Sequence, residues 1–204
     1  MFTGIVQSKG VIEQLLREPN FLRYAIRFPA PPLDNLTLGA SVSVDGICQT
    51  VVKIENDLVW FDAIQETLEK TTLKSAKPDQ QVNLERSFKY GDEVGGHLLS
   101  GHVFGTAKVR NIISPSENNY VIEFECPAEW MKYILSKGFI AINGVSLTVA
   151  EVNDKGMFSV HLIPETLKIT TLIHKQKGDE VNIEIDYQTQ LIVSTVERVM
   201  KERG

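Results

Sequence analysis

Cysteine is scarce in this chain: Cys48 and Cys126 are the only two in 204 residues. That is too few for a disulfide scaffold, and the pair lacks the C-x-x-C spacing of a redox or zinc motif, so both are expected to be thiols. Long hydrophobic runs are missing as well. No window approaches the roughly eighteen apolar residues that a membrane span needs, and the opening MFTGIV carries no basic leader. A soluble, cytoplasmic protein is expected. Nor is there a block of charge of one sign. With a net charge of -5 spread along the chain, no basic surface is offered to nucleic acid or to an acidic membrane. The G-x-x-x-x-G-K-[ST] phosphate loop, a strand-coupled G-x-G-x-x-G, G-x-S-x-G and H-E-x-x-H are absent too. His97 and His102 with two scattered cysteines make no zinc pattern, so neither a metal nor a nucleotide cofactor is expected.

What the chain does contain is a repetition. ETLEKTTL at 66–73 returns as ETLKITTL at 165–172. In the same order YAIRF at 24–28 meets YVIEF at 120–124, VDGICQTV at 44–51 meets INGVSLTV at 142–149, VNLE at 82–85 meets VNIE at 181–184, and TGIV at 3–6 meets SGHV at 100–103. Length alone permits one domain or two, at ~100–200 residues each. An apolar share of 43% with 23% charged residues is ordinary for either. The repeat decides: its period exceeds the ~20–50 residues of a solenoid unit but suits a small complete domain. Two tandem copies are expected, residues 1–97 and 98–188, joined near GDEVGGHLLSGH at 91–102, with a C-terminal segment 189–204 beyond them.

Within each copy, short runs rich in Val, Ile and Phe are bounded by Gly, Pro, Asn and Asp, the rhythm of a sandwich or barrel. Asp45-Gly46 and Asn143-Gly144 are two-residue hairpin signals, since Gly and Asx tolerate the positive φ such turns require. The expected fold class is mainly β, two tandem homologous small Greek-key β-barrels plus a C-terminal α-helix. Brief helical turns are expected over 127–134 and after Pro164. In QTQLIVSTVERVMKERG, Ile192, Val196 and Val199 make an apolar stripe at helical spacing. With no partner inside either repeat, it suits a neighbouring subunit better than the cap of a barrel.

The hairpin fixes a register in which Val44 faces Ile47, Ser43 faces Cys48, Val42 faces Gln49 and Ser41 faces Thr50. Alternation then puts Ser41, Ser43, Cys48 and Thr50 on one side and Val42, Val44, Ile47 and Val51 on the other. The second copy places Phe139, Ala141, Ser146 and Thr148 on the corresponding small-residue face. A single Ser or Thr on an antiparallel sheet reads most simply as solvent-facing. The same face built twice points to a shared surface for a flat polar ligand. Gln49 interrupts the apolar side and is expected at a sheet edge or against the ligand rim. Among the histidines, His102 stands where the first copy has Ile5, and that asymmetry makes it the acid–base candidate. His97 lies near the same join, while His161 and His174 carry no such signal.

MFTGIV, the D-G-x-C-x-T-V hairpin, GGHLLSGHV, MKYILSKGFIAINGVSLTV, VHLIPETL and NIEIDYQTQ together resemble the riboflavin synthase α-chain family, from Met1 to about Met200. The resemblance implies a two-barrel transferase without external cofactor. In such an enzyme two molecules of 6,7-dimethyl-8-ribityllumazine dismutate by four-carbon transfer. It also implies a homotrimer, sites shared between the first barrel of one subunit and the second of a neighbour, and association with lumazine synthase. Carried over by position, the first half-site comprises Phe2, Gly4, Ile5, Val6, Ser41, Cys48, Gln49, Thr50, Asp62, Ala63, Ile64, Gln65, Glu66 and Thr67. The second comprises Gly101, His102, Val103, Lys137, Ser146, Leu147, Thr148, Leu162, Ile163, Pro164, Glu165, Thr166 and Leu167. Within this resemblance, His102, Ser146 and Thr148 are expected to assist proton removal at one ring. Ser41 and Cys48 are expected at the other, polarising it or supplying a nucleophile, and Lys137 is expected to stabilise developing negative charge.

Two positions depart from the family pattern: Gln49 stands where Leu is common, and Asp45 where Asn is frequent. A rival reading is a non-catalytic relative that binds lumazine or flavin as an optical antenna, typically with one half-site degraded. Both copies here keep T-V after the hairpin and ETL afterwards, which favours the enzyme. A nucleic-acid-binding double barrel has the wrong charge and lacks an aromatic stacking platform.

Overall fold

The computed structural model describes residues 1–29, 34–116 and 119–203. Strands β1 (Ser8–Glu18), β2 (Phe21–Arg27), β3 (Ser41–Val44), β4 (Ile47–Glu55), β5 (Leu58–Ile64) and β6 (Gln81–Arg86) close one antiparallel barrel in the order β1-β2-β5-β4-β3-β6. Strands β7 (Gly105–Ser116), β8 (Asn119–Glu125), β9 (Phe139–Ile142), β10 (Val145–Asn153), β11 (Met157–Leu162) and β12 (Glu180–Ile185) close a second with the same connectivity. Closure leaves no sheet edge to protect. The repeated ETL segments form α1 (Gln65–Lys70) and α2 (Pro164–Ile169), each between the fifth and sixth strands of its barrel. Pro127–Ile134 carries a short 3₁₀ turn at Ala128–Tyr133.

The hairpins have the register expected of them, Ser41 opposite Thr50 through Val44 opposite Ile47. Asp45 and Gly46 lie at φ 45° and 83°, Asn143 and Gly144 at 46° and 76°, the two consecutive positive values of a type I′ turn. Alternation sends Val42, Val44, Ile47 and Val51 into one barrel core and Ile140, Ile142, Val145 and Val149 into the other. Gln49 needs correction. It is neither at an edge nor at a rim: it is 4% exposed, inside the first barrel, where its amide oxygen accepts the Tyr24 hydroxyl at 3.1 Å. A buried amide is tolerated there because it has this partner.

The two hairpin tips meet. A Cβ on Gly46 would lie 2.7 Å from the Gly144 nitrogen, and one on Gly144 equally close to Gly46, so no side chain fits at either position. Around this contact the asparagines of VNLE and VNIE reach across reciprocally. Asn83 Nδ2 donates to the Asn143 carbonyl at 2.9 Å and Asn182 Nδ2 to the Asp45 carbonyl at 2.8 Å. Their amide oxygens accept Thr171 N–H and Thr72 N–H. The repeat thus builds a pseudo-two-fold interface from the same residues used twice.

Helix α3 (Tyr187–Arg203) starts at an Asp186 cap whose Oδ1 accepts both the Thr189 N–H and its hydroxyl. It meets the second barrel through Lys132 and Glu197 at 2.8 Å. Ile192, Val196 and Val199 remain exposed. Among the described residues, no helix is long and apolar enough to cross a membrane.

Candidate functional site

The chain segment ahead of each barrel does not serve that barrel. Phe2 and Leu99 pair as a short bridge, each N–H to the other's carbonyl at 2.8 and 3.0 Å, and from this crossing the segments exchange. The Gly4 carbonyl accepts Ser146 N–H of the second barrel at 2.9 Å, and the Gly101 carbonyl accepts Cys48 N–H of the first at 2.8 Å. Val6 lies in the second barrel's core and Val103 against the first's. Both glycines have positive φ, 75° and 80°. A Cβ at either would fall 2.6 Å from the Cβ of the residue it covers.

This exchange regroups the residues carried over from the sequence. Gly101, His102 and Val103 line a cavity of about 440 Å³ on the first barrel together with Ile47, Cys48, Glu66, Thr67, Lys70 and Thr71. They do not join Ser146 and Thr148. Gly4, Ile5 and Val6 run beside Ser146 instead of Cys48. His102 and Cys48 therefore share one cleft, where the sequence reading had separated them. Neighbouring Ser41 is half-buried and Thr50 exposed on the same face of the sheet.

At the second hairpin the histidine beside Ser146 is His97. Its Nδ1 and the Ser146 hydroxyl share a 2.6 Å hydrogen bond, its N–H donates to the Thr3 carbonyl, and its ring stacks on Phe139 at 5.0 Å. Gly96 makes this possible, because a Cβ there would meet the Thr3 carbonyl at 2.2 Å and Ser146 Cβ at 2.7 Å. Burial pushes the His97 pKa down, opposed by the charge of Asp186, which favours the neutral ring. Thr148 and Lys137 are exposed on this side.

Other carried-over residues lie deeper. Phe2 is buried against Leu99 and Ala141 with Cys48 packed on the cluster. Ala63 and Leu162 sit in the barrel cores, as does Leu147 at the position equivalent to Gln49. Asp62 accepts from Arg23 Nε and Nη2 at 2.8 and 2.7 Å. Ile64, Gln65, Ile163, Pro164 and Glu165 are exposed, and Thr166 and Leu167 half-buried, at the mouths formed by α1 and α2. Two residues escaped the sequence reading: Glu85 and Glu184, buried carboxylates that hold the exchanged segments. The VNLE and VNIE match displayed them, but only as evidence of repetition. A larger cleft, about 520 Å³, lies between the barrels near Thr72 and Thr171. It is lined by His174 and Lys175 but by none of the hairpin residues carried over from the sequence.

Twin barrels of one connectivity, each with a small-residue hairpin covered by the other's leading segment, define a duplicated β-barrel protein with a candidate site at each hairpin. The Lumazine binding domain family matches the chain twice, over residues 3–87 and 100–186. Riboflavin synthase of Escherichia coli (strain K12) is 50% identical over 204 residues, covering 100% of this chain and 95% of the relative. That of Chlamydia pneumoniae is 46% identical, covering 100% and 99%. Among solved structures, LumP complexed with 6,7-dimethyl-8-(1'-D-ribityl) lumazine superposes with a TM-score of 0.82 at 32% identity, covering 91% of this chain and 99% of that one. LumP with riboflavin gives 0.83 at 34%, with the same coverage. The chain belongs to the riboflavin synthase family, enzymes of the transferase class.

Proposed function

We propose that the chain catalyses the dismutation of two molecules of 6,7-dimethyl-8-ribityllumazine. One gives up a four-carbon unit to the other, forming riboflavin and 5-amino-6-(D-ribitylamino)uracil in the last step of riboflavin biosynthesis. The observation that carries this reading is the pair of hairpin sites, alike in backbone and unlike in chemistry: Cys48 with His102 at one, Ser146 with His97 at the other. Two copies of one substrate playing different parts call for two related but unequal half-sites. The atoms of two lumazines account for both products, so no oxidant or cofactor is needed.

The lumazine ring renders its own methyl protons acidic, so the protein mainly orients two rings and moves protons. Neutral His97, bonded to Ser146, is suited to accept a methyl proton, with Thr148 alongside. At the first barrel, Cys48, His102 and Ser41 face the second ring, and Thr67 with α1 borders it. Lys137 supplies positive charge for the developing anion. In this reading the second ring's site is completed by a neighbouring subunit of a cytoplasmic homotrimer, and a complex with lumazine synthase would deliver the substrate directly. The superposition with LumP complexes favours lumazine binding without turnover as a second reading. The deciding experiment follows lumazine loss and riboflavin formation together in the purified, cofactor-free protein. Two lumazines consumed per riboflavin formed is the expected result. Tight binding with no riboflavin formed would establish the second reading instead.

A further inference from the structure

We infer that Glu85 and Glu184 are positioning residues, each in one barrel and each holding the segment that covers the other barrel's hairpin. Glu85, on β6, accepts Thr3 N–H at 2.6 Å, the Thr3 hydroxyl at 2.8 Å and Gly4 N–H at 3.0 Å. The segment it grips then leaves for the second barrel, where the Gly4 carbonyl takes Ser146 N–H. Glu184, on β12, accepts Ser100 N–H at 2.7 Å, the Ser100 hydroxyl at 2.8 Å and Gly101 N–H at 3.1 Å. Its segment crosses to the first barrel, where the Gly101 carbonyl takes Cys48 N–H.

The carboxylates are 3% and 6% exposed. Burial pushes both pKa values up, against the pull of these donors. A buried carboxylate gives less stability than an apolar side chain of similar volume, yet both copies keep one at the same place. What the carboxylate adds is a fixed anchor for consecutive backbone N–H groups, one residue from the atoms that border each hairpin. Because the segments are exchanged, each half-site is set by the opposite barrel. The two segments pair with each other at the Phe2–Leu99 bridge, and each clamp sets one hairpin.

The catalytic consequence rests on the proposed two-site reaction; the clamps themselves do not. The test combines amide hydrogen exchange at Cys48 and Ser146 with steady-state kinetics on lumazine, for Glu85→Gln and Glu184→Gln. The glutamine keeps the shape but turns an NH₂ group toward N–H donors. Glu184→Gln is expected to speed exchange at Cys48 by about tenfold and leave Ser146 unchanged, with Glu85→Gln doing the reverse. Both should lower kcat more than they raise KM. Thr3→Ala and Ser100→Ala, which remove only a hydroxyl donor, should give the same crossed pattern more weakly even if a glutamine variant fails to fold. Loosening confined to each variant's own barrel, equal loosening at both amides, or no change at either overturns the inference. A wild-type chain that binds lumazine without turnover overturns the proposed function, and the crossed exchange then still supports the clamps.

Discussion

Lys137 sits at φ 66° where the first copy has Gly39 at φ 80°. The equivalence is fixed by hydrogen bonds: Gly39 N–H donates to the Val51 carbonyl and Lys137 N–H to that of Val149. A left-handed lysine costs on the order of 1 kcal/mol that a glycine avoids, so its side chain is kept there against backbone preference. Lys137→Gly is therefore expected to hold or raise the melting temperature while lowering turnover about tenfold. A variant that lost stability and kept turnover would remove the catalytic role. Cys48 differs, because its thiol lines the cleft but its backbone N–H makes the contact with Gly101. Cys48→Ala should reduce kcat/KM by roughly tenfold, the scale of one polar contact; a loss of many orders of magnitude would instead mark a nucleophile. At Gln49, Leu leaves the Tyr24 hydroxyl buried without an acceptor, so Gln49→Leu should destabilise by about 1–3 kcal/mol in urea unfolding. Adding Tyr24→Phe should recover most of it, since removing both partners is nearly neutral. The period-2 pattern had placed Gln49 on the correct side of the sheet. It carried no sign that a tyrosine hydroxyl waits inside, which is why a polar residue on the apolar side suggests an edge or a rim.

Among the elements, the hairpins were the most legible, because Asp-Gly and Asn-Gly fix the turn, the turn fixes the register, and the register fixes the faces. The exchanged leading segments were not. Similarity of TGIV to SGHV reports kinship, and nothing in it says which hairpin a segment lies on. That single gap grouped His102 with Ser146, whereas it shares a cleft with Cys48, and left His97, five residues earlier in an irregular stretch, without its serine. The hairpin tips also differ between copies in a way that titrates. Asp45 is buried at the pseudo-two-fold contact, and burial raises its pKa to about 6, with Lys175 and the Asn83 N–H opposing. Between the unfolded value of 3.8 and the folded value, the folded chain binds more protons than the unfolded one. Stability contributed by this group therefore falls as pH rises through that window and stays lower above it. Asn143 in the second copy shows that an amide fits, its Oδ1 accepting Asn182 N–H at 2.7 Å. Asp45→Asn should stabilise the chain at neutral pH by on the order of 2–3 kcal/mol and flatten unfolding free energy between pH 4 and 6. Urea titrations across that range measure it, and an unchanged slope would assign the pH dependence to other groups.

At the scale of the molecule, a single chain presents its two hairpin sites on separate barrels, covered by different segments and joined through the tip contact. A reaction between two rings needs both within bonding distance, and in the proposed function a second chain brings its own barrel opposite to supply the other ring. Helix α3 is the element that offers the means: Ile192 and Val196 are 63% and 51% exposed, while Lys132 and Glu197 tie the opposite side to the second barrel. An apolar stripe of this kind is buried when helices of several copies pack together. Val196→Glu places a charge in that seam without touching either hairpin. Sedimentation velocity of the parent chain should show a trimer and that of the variant a monomer. Lumazine binding, followed by fluorescence, should persist in the monomer because the cleft at Cys48 and His102 is lined within one chain, whereas riboflavin formation should fall by at least a hundredfold at dilute protein and recover partly as concentration rises. A monomeric variant that kept full turnover at dilute protein would place both rings within one chain and overturn the shared site.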